Sequence, residues 1–181
     1  MIQIIGGKYR SRKIETPPSE TTLPTKNMVR GAMMSALGDI VGATVLDLYA
    51  GSGALGIEAL SRGASHCLFV EKDMKANRII RDNLSLLKAD NAEVWLLDDK
   101  SALGRMKKEK RKFDIVFLDP PYALKEAYLY DVEYLLREGL ADSSTRFILE
   151  YEGDIPFDRS AYGFCRDYKY GKTRLLYIRK E

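Results

Sequence analysis

Asp47-x-x-x-Gly51-x-Gly53, with Gly56 three residues on and Glu71 beyond, places two acids around a cluster of small residues. Glycines at a turn from strand to helix let backbone N–H groups approach a ligand closely, and an acid ending the next strand can accept both hydroxyls of a ribose. The pattern suits a nucleoside-containing cofactor. Gly51-x-Gly53-x-x-Gly56 also fits the fingerprint of dinucleotide sites, so the glycines leave a nicotinamide cofactor and S-adenosylmethionine both open. Asp47 favours the latter, because a carboxylate just ahead of the turn would repel a pyrophosphate but suits the ammonium of a methionine moiety.

Asp119-Pro120-Pro121-Tyr122 is the second group. An exocyclic amino group on a nucleobase is a poor nucleophile, its lone pair being delocalised into the ring. Chemistry on it needs acceptors that hold both N–H bonds and draw the nitrogen toward a tetrahedral geometry. The Asp119 carboxylate and the Pro120 carbonyl can supply two, and the prolines stiffen the loop so that both are fixed before reaction. Tyr122 can then stack on the base. Asp119 also stands beside the positive charge that develops on the nitrogen as a methyl group arrives.

The elements that must hold these groups follow from apolar periodicity. Thr44–Tyr49 is a β-branched and aromatic run ending in Ala50-Gly51-Ser52-Gly53, after which Ala54–Ser61 reads as a helix. Cys67–Val70 is a second strand, and Ala76, Ile79, Ile80, Asn83, Leu84 and Leu87 recur at helical spacing. Val94–Leu97 is a third strand, Ser101 to about Lys110 a weak helix, and Phe113–Leu118 a fourth strand ending in the Asp-Pro-Pro-Tyr loop. A helix over Ala127–Arg137, a strand at Phe147–Glu150 and a hairpin of Phe164–Tyr170 and Thr173–Arg179 about Gly171-Lys172 complete the core. At the head, Ile2–Tyr9 and Arg12–Thr16 are strand-like pieces around Gly6-Gly7, broken by Pro17-Pro18 from a helix over Asn27–Leu37. Strands alternating with helices predict a parallel sheet covered on both faces, with ligands at the carboxyl ends of its strands.

The chain has 181 residues, 45% hydrophobic and 30% charged, with a net charge of +3, which excludes a collagen-like, low-complexity or disordered protein. It contains no apolar run of membrane-spanning length and no leader pattern, so an untargeted cytoplasmic protein is expected. Cys67, Cys165 and the lone His66 make neither a disulfide framework nor a zinc set, and the cysteines read as small buried apolar fillers. Bases collect at the ends. Lys8, Arg10, Arg12 and Lys13 occur among the first thirteen residues with no acid, and Arg166, Lys169, Lys172, Arg174, Arg179 and Lys180 close the chain. Such ends suit a surface that tracks phosphates. Arg105–Lys112 carries six bases against Glu109 and reads rather as a solvated face.

The order Asp47 to Gly56, Glu71, Asp98, then Asp119-Pro-Pro-Tyr122 resembles a class I S-adenosylmethionine-dependent amino-methyltransferase. More narrowly, Ile4–Arg10, Gly51–Gly63 and Tyr170-Gly-Lys-Thr173 resemble the RsmD family, whose members methylate the N2 amino group of a guanine, position 966 in the usual ribosomal numbering, in 16S ribosomal RNA. The resemblance implies a Rossmann-like fold: a seven-stranded, mostly parallel sheet with an antiparallel C-terminal strand, helices on both faces and a basic N-terminal β-hairpin. One domain of residues 1–181 is expected, with the hairpin extension at 1–20, a helical segment at 21–40 and the catalytic core at 41–181. It implies Asp47, Gly51, Ser52 and Gly53 at the methionine end of the cofactor, Glu71 on the ribose, Asp98 at the adenine amino group with Asp99 beside it, and Ala50, Lys72 and Thr25 as further cofactor-binding residues. Asp119, Pro120, Pro121 and Tyr122 are the implied catalytic loop. Lys8, Tyr9, Arg10, Arg12, Lys13 and Arg30 are the implied RNA contacts, with Tyr9 stacking on a base. A monomer without a metal, acting on 16S rRNA in the small subunit or an assembly intermediate, is expected.

The chain departs from the family over Thr22–Gly31, where an arginine is Leu23, an Asp is Asn27, a base is Met28 and a Glu is Gly31. Gly31 inside a helix costs about 1 kcal/mol relative to Ala, which would loosen the segment before substrate binds. Three further readings stand beside the first: the same fold acting on adenine-N6 or a protein glutamine, a non-catalytic RNA-binding assembly factor, and, weakest, a nicotinamide oxidoreductase. The basic hairpin favours RNA over a protein substrate.

Overall fold

A computed structural model of the chain describes residues 1–18, 24–121 and 123–181, with the backbone alone at 24 and 25. The N-terminal strands β1 (Ile2–Gln3) and β2 (Lys13–Ile14) pair antiparallel across a 3-10 turn at Gly7–Tyr9. Helix α1 (Pro24–Leu37) leads to β3 (Thr44–Leu48), α2 (Ala54–Ser61), β4 (His66–Val70), α3 (Met74–Leu87), β5 (Ala92–Trp95), α4 (Asp99–Lys108), β6 (Ile115–Leu118), α5 (Lys125–Arg137) and β7 (Arg146–Glu152). The hairpin β8 (Phe164–Tyr170) and β9 (Thr173–Arg179) ends the chain. The sheet runs β5-β4-β3-β6-β7-β9-β8, its first five strands parallel and β9 antiparallel to both neighbours.

This is the expected sheet, and the period-2 alternation of its apolar strands divides the core. Val45, Cys67, Phe69, Ile115 and Phe117 face a cluster that includes Met33 of α1, Ile57 and Leu60 of α2 and Ile80 of α3. Leu46, Leu48, Leu68, Val116 and Leu118 face the other, with Leu103 and Met106 of α4 and Val132 and Leu135 of α5. Gly56 permits the closest approach of helix to sheet, since a Cβ there would collide with the Phe69 ring and Cys67 Sγ. Its part is therefore packing, not contact with a ligand. The chain turns away from β3 on both sides, to β4 and to β6, which makes the carboxyl ends of β3 and β6 the switch point where ligands bind in such sheets.

The head of the chain differs from the expectation. Of Ile2–Tyr9 and Arg12–Thr16 only two residues on each side pair as strand, because the loop is drawn onto α2. Gly7 has φ +72°, and a Cβ there would run into the Ser61 carbonyl. The fully buried Glu58 carboxylate accepts the N–H groups of Ile5 at 2.9 Å and Gly6 at 2.8 Å and pairs with Arg62 Nε at 3.0 Å. Ser61 Oγ accepts the Tyr9 N–H at 2.9 Å, and Asn83 on α3 bonds both backbone groups of Glu15. Helix α1 begins three residues before the expected start and continues through Gly31. Cys67 is buried as expected, whereas Cys165, on β8 at the sheet edge, is only half-buried.

Candidate active site

A cavity of about 790 Å³ opens at the carboxyl ends of β3, β4 and β6. Asp47, Ala50, Gly51, Ser52, Glu71, Lys72, Asp98, Asp99, Asp119, Pro120 and Pro121 all line it. Gly53 does not; it caps the start of α2 behind the wall. Tyr122 and the Thr25 side chain lie outside the described residues.

Asp47 sits at the end of β3, 2% exposed, with Oδ2 accepting the Gly56 N–H at 2.9 Å, so the first turn of α2 holds the acid in place. Glu71 ends the neighbouring strand and accepts the Gly51 N–H at 2.8 Å and the Asp73 N–H at 2.8 Å. Asp98 is the N-cap of α4, its Oδ1 accepting the Ser101 N–H at 2.7 Å, and this bond holds its carboxyl below the usual range. Asp98→Ala is expected to destabilise the fold by loss of the cap, whereas Asp98→Asn keeps it; denaturant melts of both variants check this. Asp119 is exposed at the end of β6, followed by the buried Pro120, so its carboxylate faces the cavity on a fixed loop.

Two expected RNA contacts are corrected. Tyr9 is 8% exposed and packs in the core beside α2, so its ring offers no stacking face. The Arg30 side chain is 6% exposed; it pairs with Glu58 at 3.5 Å, donates to the Gln3 carbonyl and lines the cavity. Lys8, Arg10, Arg12 and Lys13 are exposed on the hairpin, with Lys8 over the Tyr9 ring at 4.7 Å. Lys26, Lys72 and Lys75 add a basic rim to the cavity, of which the sequence pattern had pointed only to Lys72. Half of the bases of the Arg105–Lys112 run are spent locally: Arg105 and Arg111 pair with Glu109, Arg111 with Glu93, Lys107 with Glu138, and Arg105 lies 3.9 Å from the Trp95 ring centre.

Sequence reasoning also passed over Tyr49, Leu97 and Glu150 in the wall. Tyr49 follows β3 with φ +82°, a left-handed conformation costing a bulky L residue roughly 1–2 kcal/mol. Its hydroxyl donates to Asp131 Oδ2 on α5 at 2.7 Å, and burial raises its pKa. Burial pushes the fully enclosed Asp131 up to about 7. The folded state thus favours the neutral carboxyl, so the stability this group contributes is full below about pH 4 and is lost as pH rises through 7. Relative to Asp131→Asn, the wild type is expected to lose about 3–4 kcal/mol of stability between pH 4 and pH 8. Urea melts across that range read the difference directly. Among the described residues no cluster of His, Cys, Asp and Glu is arranged to hold a metal ion, and no helix is long and apolar enough to cross a membrane.

The family described as conserved hypothetical protein 95 matches residues 2–179. Ribosomal RNA small subunit methyltransferase D of Escherichia coli strain K12 is 34% identical over 184 residues, covering 99% of this chain and 90% of that one. The solved structure of a hypothetical protein of Thermus thermophilus shares 29% identity and a TM-score of 0.83 over 99% of both chains. A more distant methyltransferase-like chain complexed with SAH has a TM-score of 0.66 at 15% identity, over 87% of this chain and 50% of that one, a likeness of fold alone.

Proposed function

Since the chain belongs to the RsmD family, the family of conserved hypothetical protein 95, we propose that it transfers a methyl group from S-adenosylmethionine to the N2 amino group of a guanine, position 966, in 16S rRNA of the small ribosomal subunit. The observation that carries this reading is the placement of Asp47 and Asp119 at the ends of adjacent parallel strands, β3 and β6, facing one cavity. The first strand end holds a cofactor and the second presents acceptors to an amino group.

The residues present fit S-adenosylmethionine. Asp47 is a buried carboxylate suited to an ammonium, Glu71 an acceptor for ribose hydroxyls, and Asp98 with Asp99 acceptors for an adenine amino group. When bound, the cofactor supplies an electrophilic methyl on a sulfonium. The rest falls to the chain. Asp119 and the Pro120 carbonyl accept the two N–H bonds of the guanine amino group and turn its lone pair toward the cavity. The Asp119 charge would stabilise the positive nitrogen as the N–C bond formed and the sulfonium S–CH3 bond broke, the electron pair staying on sulfur as a neutral thioether, and the proton would leave to water, directly or by way of Asp119. A base must leave its stack to reach this pocket. The exposed bases of the hairpin and the rim lysines supply the phosphate contacts that would hold the RNA during that excursion. The protein is read as a cytoplasmic monomer of one domain.

The test is methyl transfer from radiolabelled S-adenosylmethionine to small subunits that lack the modification, with mass mapping of the product. N2-methylguanosine at a single site is the expected product. Label in N6-methyladenosine or in protein would overturn the substrate, and RNA binding without transfer would leave an assembly factor.

A further inference from the structure

Asp131 lies in the middle of α5, 0% exposed, and the chemistry above makes no use of it. Its Oδ2 accepts the Tyr49 hydroxyl at 2.7 Å, while its buried Oδ1 has no hydrogen-bond partner among the described residues. Tyr49 lines the cofactor cavity two residues after Asp47 and immediately before Ala50-Gly51. A tyrosine at φ +82° persists only where its surroundings enforce it, and such residues gather at functional sites. The charged and titratable groups that face Asp131 are Tyr49 from the end of β3, and Asp99 and Lys100 from α4. Asp99 also acts on the Tyr49 hydroxyl, and it lines the same cavity. The hydroxyl thus ties the cofactor turn to the helix that follows the catalytic loop, with the Asp99 charge at the start of α4 acting on it.

Resting on the cofactor reading above, we propose that Asp131 is a positioning residue of the cofactor pocket, acting through the Tyr49 hydroxyl to hold Tyr49 in its left-handed conformation and with it the wall from Asp47 to Asp99. An ionised carboxylate grips a phenol O–H more strongly than a neutral one does. Burial, helped by the neighbouring Asp99, raises the Asp131 carboxyl to about 7, against the Tyr49 hydrogen bond and Lys100, which both favour its ionised form. The clamp therefore tightens as pH rises through neutrality, and cofactor affinity rises with it.

Calorimetric titration of S-adenosylmethionine and S-adenosylhomocysteine at pH 6, 7 and 8 tests this, on the wild type, Asp131→Asn and Tyr49→Phe. Tyr49→Phe removes one oxygen and keeps the ring, so it remains informative if the buried Asp131→Asn change impairs folding. The wild-type affinity is expected to rise about five- to tenfold from pH 6 to pH 8. Both variants should be flat with pH, and the loss relative to wild type at pH 8 should appear in Kd and in KM for the cofactor more than in kcat. A variant that keeps the wild-type slope, or loses kcat while its Kd is unchanged, overturns the proposal. A wild type that binds neither compound at any pH overturns the cofactor reading and this inference together.

Discussion

Asp119→Ala is expected to lower kcat for methyl transfer by roughly 10²–10³-fold while cofactor affinity stays within a few-fold of wild type. Asp119 stands at the end of β6 on the far side of the switch point from the glycine turn, so its loss leaves the Asp47–Glu71 wall intact. The carboxylate has two tasks: it accepts one N–H of the amino group, and it faces the charge that develops as the methyl arrives. Asp119→Asn retains an acceptor and loses the charge, so its rate should fall between wild type and Asp119→Ala. Single-turnover transfer with saturating cofactor separates the chemical step from binding. A rate for Asp119→Ala within tenfold of wild type would remove Asp119 from the chemistry and leave the loop a strand cap.

Glu58→Ala should destabilise the fold by about 3–5 kcal/mol. Its carboxylate, fully buried on α2, accepts the N–H groups of Ile5 and Gly6 and pairs with Arg62 and Arg30. Truncation leaves those donors and the 6% exposed Arg30 guanidinium without the charge that compensates their burial. At this chain length the thermal midpoint should fall by roughly 6–20 °C. The loss has a functional side, because the same bonds fasten to α2 the hairpin that bears Lys8, Arg10, Arg12 and Lys13. RNA affinity should drop and its salt dependence flatten even at temperatures where the core is folded. Glu58→Gln, which keeps one acceptor oxygen, should lose less. A loss below about 1 kcal/mol for Glu58→Ala would show that the hairpin is held by its apolar contacts with α2 instead.

Much of this protein was legible in its sequence. Helix Ala54–Ser61 and the final hairpin were placed residue for residue, since a continuous apolar run, a helical stripe and a glycine turn are each decided by neighbours within a few positions. The acids Asp47, Glu71 and Asp119, which the pattern put at strand ends, all line the cavity, as does Asp98, which the pattern put at the end of a strand and the fold puts at the N-cap of α4. Residues 92–97 mark the limit of this reasoning. The expected strand Val94–Leu97 is Ala92–Trp95, and Leu97 turns into the cavity wall, because pairing with β4 and not propensity sets the register.

Tertiary structure decided what depends on partners far away in the chain. Tyr9 reads as an aromatic among bases, yet its amide reaches Ser61, 52 residues on, and its ring is buried. Arg30 reads as one more RNA-facing base until Glu58 meets it from α2. Glu58 itself looks like an ordinary helix glutamate, and Asp131 like a polar residue on an amphipathic helix, until the fold closes over them. A local pattern records which side of an element is apolar; it carries no record of which buried donor, far along the chain, a given carboxylate will accept from. The sequence by itself thus determined the strands, the turns and the acids at the strand ends. Which bases stay exposed, which acid clamps the hairpin and which carboxyl meets the Tyr49 hydroxyl were set by packing, where desolvation makes a pairing obligatory and only the assembled fold supplies the partner.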